Sequence, residues 1–189
     1  MKIHKAISIL LSAPAMAVYV TLAFSFFSPI RSNLADLVTS VVLGIVFLSL
    51  IPIVALYSES KSFSGWDLYD RKRRNMPYIV TVISYVVISF MFWYLGNHVM
   101  FLISLSYLAV TSAMFFINLF WKISIHSAGI AGPVTALFYV FGPVMGALYL
   151  LLIPVAYSRW KLGSHDFYQL LAGALIAIFI TYVTYFILW

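Results

Sequence analysis

Three short polar stretches interrupt a chain in which only 8% of the residues are charged. The first, WDLYDRKRRNMP at 66–77, carries four consecutive cations from Arg71 to Arg74. The second, WKISIHSAG at 121–129, sets Lys122 one helical turn before His126, with Ser124 between them. The third, SRWKLGSHDFYQ at 158–169, gathers Arg159, Lys161, His165 and Asp166 between two apolar runs, with Gln169 one turn beyond His165.

These residue types suit an anion. A planar guanidinium fork matches phosphate oxygens two at a time, which makes Arg71, Arg74 and Arg159 candidate grips. Histidine titrates near neutral pH and can act as a general acid, and a helix starting near His126 would present free N–H groups and a positive dipole. His165 is placed to act as nucleophile or base, with Gln169 in reach of its other ring nitrogen. Each stretch also has a plainer reading: a juxtamembrane basic run, a histidine satisfied by packing, a polar surface loop. Taken together they suit phosphoryl transfer, in which cations hold the equatorial oxygens, one histidine attacks phosphorus and the other protonates the leaving oxygen. Such a set demands no metal and no cofactor, and a cysteine count of zero excludes thiolate nucleophiles and Cys-ligated metals.

The elements that must position these stretches are membrane helices. Of the 189 residues, 64% are hydrophobic and 18% aromatic, far above soluble usage, so the chain reads as one all-α polytopic membrane domain, 1–189. Uncharged segments cover 6–30, 37–58, 75–121, 123–158 and 167–189. The first has a signal-like start but is long enough to remain as a spanning helix. The third divides at Gly96-Asn97-His98. The fourth reverses at Phe141-Gly142-Pro143, because proline removes a helical hydrogen bond and disfavours a helical residue before it. Seven hydrophobic segments result, the fifth and sixth short, forming a bundle of six to seven transmembrane helices. By parity the three polar stretches share one face with the N-terminus, and every Lys and Arg except Arg31 lies on that face. The positive-inside rule then turns the site toward the cytoplasm. The net charge of +6 points to lipid headgroups or a phosphate-bearing substrate rather than nucleic acid.

The polar residues resemble the type 2 phosphatidic acid phosphatase superfamily. Its third signature part, Ser-Arg, five residues, His, three residues, Asp, is matched in order and spacing by Ser158-Arg159 and His165, and the following LLAGAL resembles the usual continuation. Ser124-Ile125-His126 falls on the Ser-Gly-His of the second part, and Asp70 to Arg74 looks like a variant of the first, with Arg74 in the arginine place. Asp67 stands where the family has lysine, so Lys122 is the nearby candidate for that charge. Gln169 stands where the family has the orienting aspartate; it accepts a hydrogen bond but stabilises an imidazolium less. The resemblance implies a bundle related to vanadium haloperoxidases, in which His165 forms a phosphohistidine and His126 protonates the leaving group. Arg74, Arg159 and Ser124 would hold the phosphate without metal.

The expected activity is hydrolysis of a lipid phosphate or diphosphate in the cell membrane, a polyprenyl compound before phosphatidic acid or phosphatidylglycerophosphate. Two other readings stand beside it. Asp67-x-x-Asp70 is also the pattern of a magnesium-dependent prenyltransferase, although the chain has only 5 acidic residues for two metal clusters. A non-catalytic transporter or scaffold is the third.

Overall fold

The computed structural model describes residues 2–28, 34–60, 68 and 70–189. Arg31, residues 61–67 and Tyr69 lie outside the described residues, and with them Asp67 of the possible Asp-x-x-Asp motif. The described residues are all-helical, without strands. The helices are α1 (Lys2–Leu10), α2 (Ala13–Phe27), α3 (Leu34–Ile45), α4 (Ile51–Ser60), α5 (Asn75–Tyr94), α6 (His98–Asn118), α7 (Ile125–Phe141), α8 (Leu152–Lys161) and α9 (Phe167–Leu188). A π-helical turn, Val46–Leu50, joins α3 to α4. A short 3₁₀ turn, Lys72–Arg74, leads into α5, and a longer one, Pro143–Leu151, leads into α8.

Among the described residues four stretches are long and apolar enough to cross a membrane: Asp36–Ser60, Lys72–Tyr94, His98–Asn118 and Phe167–Leu188. A fifth results if α1 and α2 count as one span, although they meet at an angle of 45°. The first apolar segment is therefore not one straight helix. It breaks at Ser12, whose hydroxyl accepts from the Ala15 amide, and Pro14 sits in the first turn of α2. The expected divisions at 96–98 and 141–143 are present, and Gly96 and Gly142 take φ of 70° and 94°. Only glycine enters that region without strain. The segments on either side of Gly142 form the 17-residue α7 and, beyond the 3₁₀ turn, the 10-residue α8.

The outer faces of α5 and α9 expose Ile83, Phe90, Phe179 and Phe186, an apolar surface that suits lipid rather than water. Inside, α7 is the central element, with every residue from Ser127 to Leu137 buried. Its small residues allow neighbours to approach closely, the usual solution where lipid removes the hydrophobic drive between helices. A Cβ on Gly129 would lie 2.6 Å from the Ala13 Cα, so α2 crosses α7 nearly backbone to backbone. A Cβ on Gly173 of α9 would lie 2.4 Å from the Ser124 carbonyl oxygen. That contact and the hydrogen bond from the Ser124 amide to the Gln169 carbonyl at 3.2 Å lock the start of α9 onto the start of α7.

Candidate active site

His165 is fixed by the two helix ends that flank it. Helix α8 stops in a Schellman motif, with the Gly163 amide donating to the Trp160 carbonyl at 2.9 Å and the Ser164 amide to Arg159 at 3.0 Å. Gly163 carries the left-handed turn at φ 65°. One residue after His165, Asp166 caps α9 by accepting from the Gln169 amide at 2.8 Å. The backbone on both sides of the imidazole is thus committed, and the side chain is 5% exposed. The His165 Nδ1 lies 2.9 Å from the Gln169 Oε1. A carbonyl oxygen only accepts, so Nδ1 carries the hydrogen and Nε2 keeps a lone pair.

Arg74 and Arg159 are also buried, at 6% and 1% exposure. Arg74 ends the 3₁₀ turn before α5; its Nε donates to the Leu68 carbonyl at 2.8 Å and its Nη1 to the Ile123 carbonyl at 3.2 Å. The Ile123 bond ties it to the residue before the α7 cap. Arg159 lies in the last turn of α8, where its Nη1 donates to the Ser8 hydroxyl at 3.0 Å. Together with His126 and His165 these arginines line one cavity, with room for water centres of about 50 Å³. Its remaining lining is Ser12, Ala13, Pro14, Leu56, Leu68 and Ile125. No carboxylate belongs to this lining among the described residues.

The electrostatics follow from that composition. His165 holds its proton far less tightly than usual, its pKa lowered from 6.5 to about 3. Burial is the largest cause and the Arg74 charge the next; Arg159 and Lys122 add to the lowering, while the bond to Gln169 opposes it. The imidazole is therefore neutral at pH 7, which a nitrogen nucleophile requires.

Of the sequence-predicted residues, His126, His165, Arg74 and Arg159 meet at the cavity, and Gln169 buttresses His165 from behind. Lys122 is close enough to act on His165 through space without lining the cavity. Ser124 is fully buried as the N-cap of α7, its hydroxyl accepting from the Ser127 amide at 3.4 Å and the Ser127 hydroxyl at 3.3 Å. Arg71 is placed elsewhere. Its guanidinium donates to the Asn118 carbonyl at 3.1 Å and to the Leu119 carbonyl, both at the end of α6, where last-turn carbonyls lack intrahelical partners. It closes a helix end and does not face the cavity.

Two residues of α1 join the site without having been predicted. Ser8 receives Arg159, and the His4 Nδ1 lies 3.4 Å from the Ser158 hydroxyl. Their i, i+4 spacing on a helix with one apolar face was a signal in the sequence that these side chains point the same way. Among the described residues no group of three His, Asp or Glu side chains gathers as a metal site. Comparison with protein-family models, curated proteins and solved structures gave no match.

Proposed function

We propose that this chain is an integral membrane phosphatase that hydrolyses a lipid phosphate or diphosphate through a phosphohistidine. The observation that carries this reading is the meeting of two histidines and two buried arginines in one cavity at the ends of apolar helices. In the proposed reaction the Nε2 lone pair of His165 attacks phosphorus as the bond to the lipid oxygen breaks, and His126 gives that oxygen a proton. The new imidazolium keeps its Nδ1–H on Gln169. Water then attacks phosphorus as the phosphorus–nitrogen bond breaks, giving a proton to His126, releasing inorganic phosphate and returning the electron pair to Nε2 of a neutral His165. Arg74 and Arg159 hold the oxygens on which charge accumulates, and loss of such a group typically costs about 10²–10³ in rate.

The reading implies the arrangement expected of a relative of the type 2 phosphatidic acid phosphatases, six to seven crossings in the cell membrane, with α7 and α8 as short crossings sheltered by protein. It also turns the site toward the cytoplasm, where the basic face belongs by the positive-inside rule. The test is phosphate release by the purified protein from a panel of lipid mono- and diphosphates in EDTA. Turnover that vanishes in His165→Ala is the expected result. No release from any member, or release only with added magnesium, contradicts the proposal, and the latter favours a metal-dependent prenyl-diphosphate enzyme.

A further inference from the structure

Helix α1 turns its hydrogen-bonding side chains inward and most of its apolar ones outward. His4 and Ser8, one turn apart, face α8, where the His4 Nδ1 lies 3.4 Å from the Ser158 hydroxyl and Ser8 accepts from Arg159 at 3.0 Å. Ile7 and, just beyond the helix, Leu11 join the core formed by Met16, Ile130, Val134 and Val155. The opposite face carries Ile3, Ile9 and Leu10, which are 73%, 41% and 59% exposed, with Lys5 exposed at one edge. In water so apolar an outer face is costly, whereas against lipid it is the stable arrangement. Yet α1 is too short to cross a bilayer: its 9 residues rise about 14 Å against a hydrocarbon core of about 30 Å. It also meets α2 at an angle of 45°, so it need not follow the direction of that helix.

The depth of α1 is set by α8. The exposed Tyr157 and Trp160 of α8 are residue types that settle at the level of lipid head groups. Lys161 stands over both rings, its Nζ 5.6 Å and 5.2 Å from their centroids. The His4 ring meets Tyr157 edge-on with centroids 5.6 Å apart, which ties α1 to the same level. Lys5 and Lys161 are both exposed there, and neither α1 nor α8 contains a carboxylate. The next acidic residue in the chain, Asp166, is committed to capping α9. Charge complementarity therefore selects an anionic lipid surface.

We infer that α1 is an interfacial helix seated in the head-group layer of an anionic leaflet, and that this contact holds Arg159 in the cavity through Ser8. The outer apolar face lies toward the acyl chains and Lys5 toward the lipid phosphates. The coupling to Arg159 rests on the phosphatase reading and adds a regulator to it, the charge of the bilayer itself. Where the leaflet presses α1 against α8, the Ser8 hydroxyl stays under the guanidinium. Where that contact weakens, Arg159 loses an anchor and the charge developing on phosphate is held less well, which lowers kcat.

The test uses the purified full chain in nanodiscs of phosphatidylcholine, with or without phosphatidylglycerol. Nitroxides are placed on single cysteines at Leu10 and at Lys5, the only thiols in a chain that has none. Oxygen, which concentrates in lipid, should relax the label at position 10, and a water-soluble nickel chelate the label at position 5. Equal access of the chelate to both positions overturns the seat of α1. In the unlabelled protein kcat for farnesyl monophosphate should rise at least about fivefold with phosphatidylglycerol, the scale of one basic residue at an anionic surface. Lys5→Glu should abolish that rise. Ser8→Ala should abolish it too, and the double variant should be no slower than Ser8→Ala alone, because both changes act through one contact. If Ser8→Ala does not fold, Ser8→Thr serves instead: it keeps the hydroxyl and should keep the rise. A kcat indifferent to lipid charge, or a rise that survives Lys5→Glu or Ser8→Ala, overturns the coupling. No turnover in any lipid, with the label pattern as expected, would sink the phosphatase reading and leave the interfacial helix standing.

Discussion

Replacing Gln169 by glutamate would put a carboxylate 2.9 Å from the His165 Nδ1 without changing side-chain length. In the wild type the histidine is neutral down to about pH 3 because burial and three cations oppose its charge. A carboxylate about 4 Å from the ring charge, at an effective dielectric of about 20, is worth about 4 kcal/mol. That equals up to about three pH units, so His165 should titrate near pH 6 in Gln169→Glu. The consequence appears in kcat/KM as a function of pH. Dividing the variant by the wild type at each pH cancels the substrate's own ionisation. The ratio should be flat above about pH 7 and fall about tenfold per pH unit below about pH 6, because protonated His165 cannot attack. Stability gives a second readout. The folded-state pKa lies below the ordinary 6.5, so the neutral histidine's contribution is complete above pH 6.5 and is lost as the pH falls toward 3. That loss is at most roughly 5 kcal/mol in the wild type, and it should shrink in the variant. A ratio independent of pH between about pH 4 and about pH 8 would refute the assignment of His165 as the group that must be neutral.

Three further outcomes follow from the packing and the charge distribution. Gly173→Ala should lower stability by about 1–3 kcal/mol, read by thermal unfolding, and should also slow turnover, because its Cβ meets the Ser124 carbonyl oxygen at 2.4 Å and pries apart the starts of α7 and α9. Ser8→Ala removes the hydroxyl that accepts from Arg159 at 3.0 Å; a hydrogen bond to a charged group is worth about 1.5–3 kcal/mol, so turnover should fall by roughly one to two orders of magnitude and recover in Ser8→Thr. Sidedness is checked with single cysteines at Lys161 and Asn97, the only thiols in a chain with none: an impermeant maleimide on intact cells should label position 97 and spare 161, and the reverse pattern overturns the cytoplasmic orientation.

Much of this arrangement was legible because its determinants are local. Gly96 and Gly142 announce reversals through a backbone region that other residues avoid, and the Ser-Arg-x5-His spacing places Arg159 and His165 across one helix end and the loop after it. The capping role of Asp166 could also be read from its place directly before an apolar run. What escaped the sequence depends on distant packing. Arg71 and Arg74 are the same residue type three positions apart, and only the tertiary fold turns Arg74 inward and sends Arg71 to the end of α6. Ser8 is 151 positions from Arg159, and no periodicity in either segment reports that meeting. The break at Ser12 was hidden because an uncharged run reads alike whether straight or bent. The apolar cavity beside Arg74 was hidden as well, since it is bounded by residues from six helices that look individually like core.

The central claim is that His165 becomes covalently phosphorylated. The most direct measurement is to mix the protein with radiolabelled farnesyl monophosphate, quench in alkali, where a phosphorus–nitrogen bond survives and serine or threonine phosphates are lost, and map the labelled peptide. Because Nδ1 is held by Gln169, the label should sit on Nε2 of His165 and be absent from His165→Asn, and in His126→Asn both its formation and its loss should slow, since His126 serves both steps. Sustained phosphate release with no label at His165, or with the label on His126, would contradict the account.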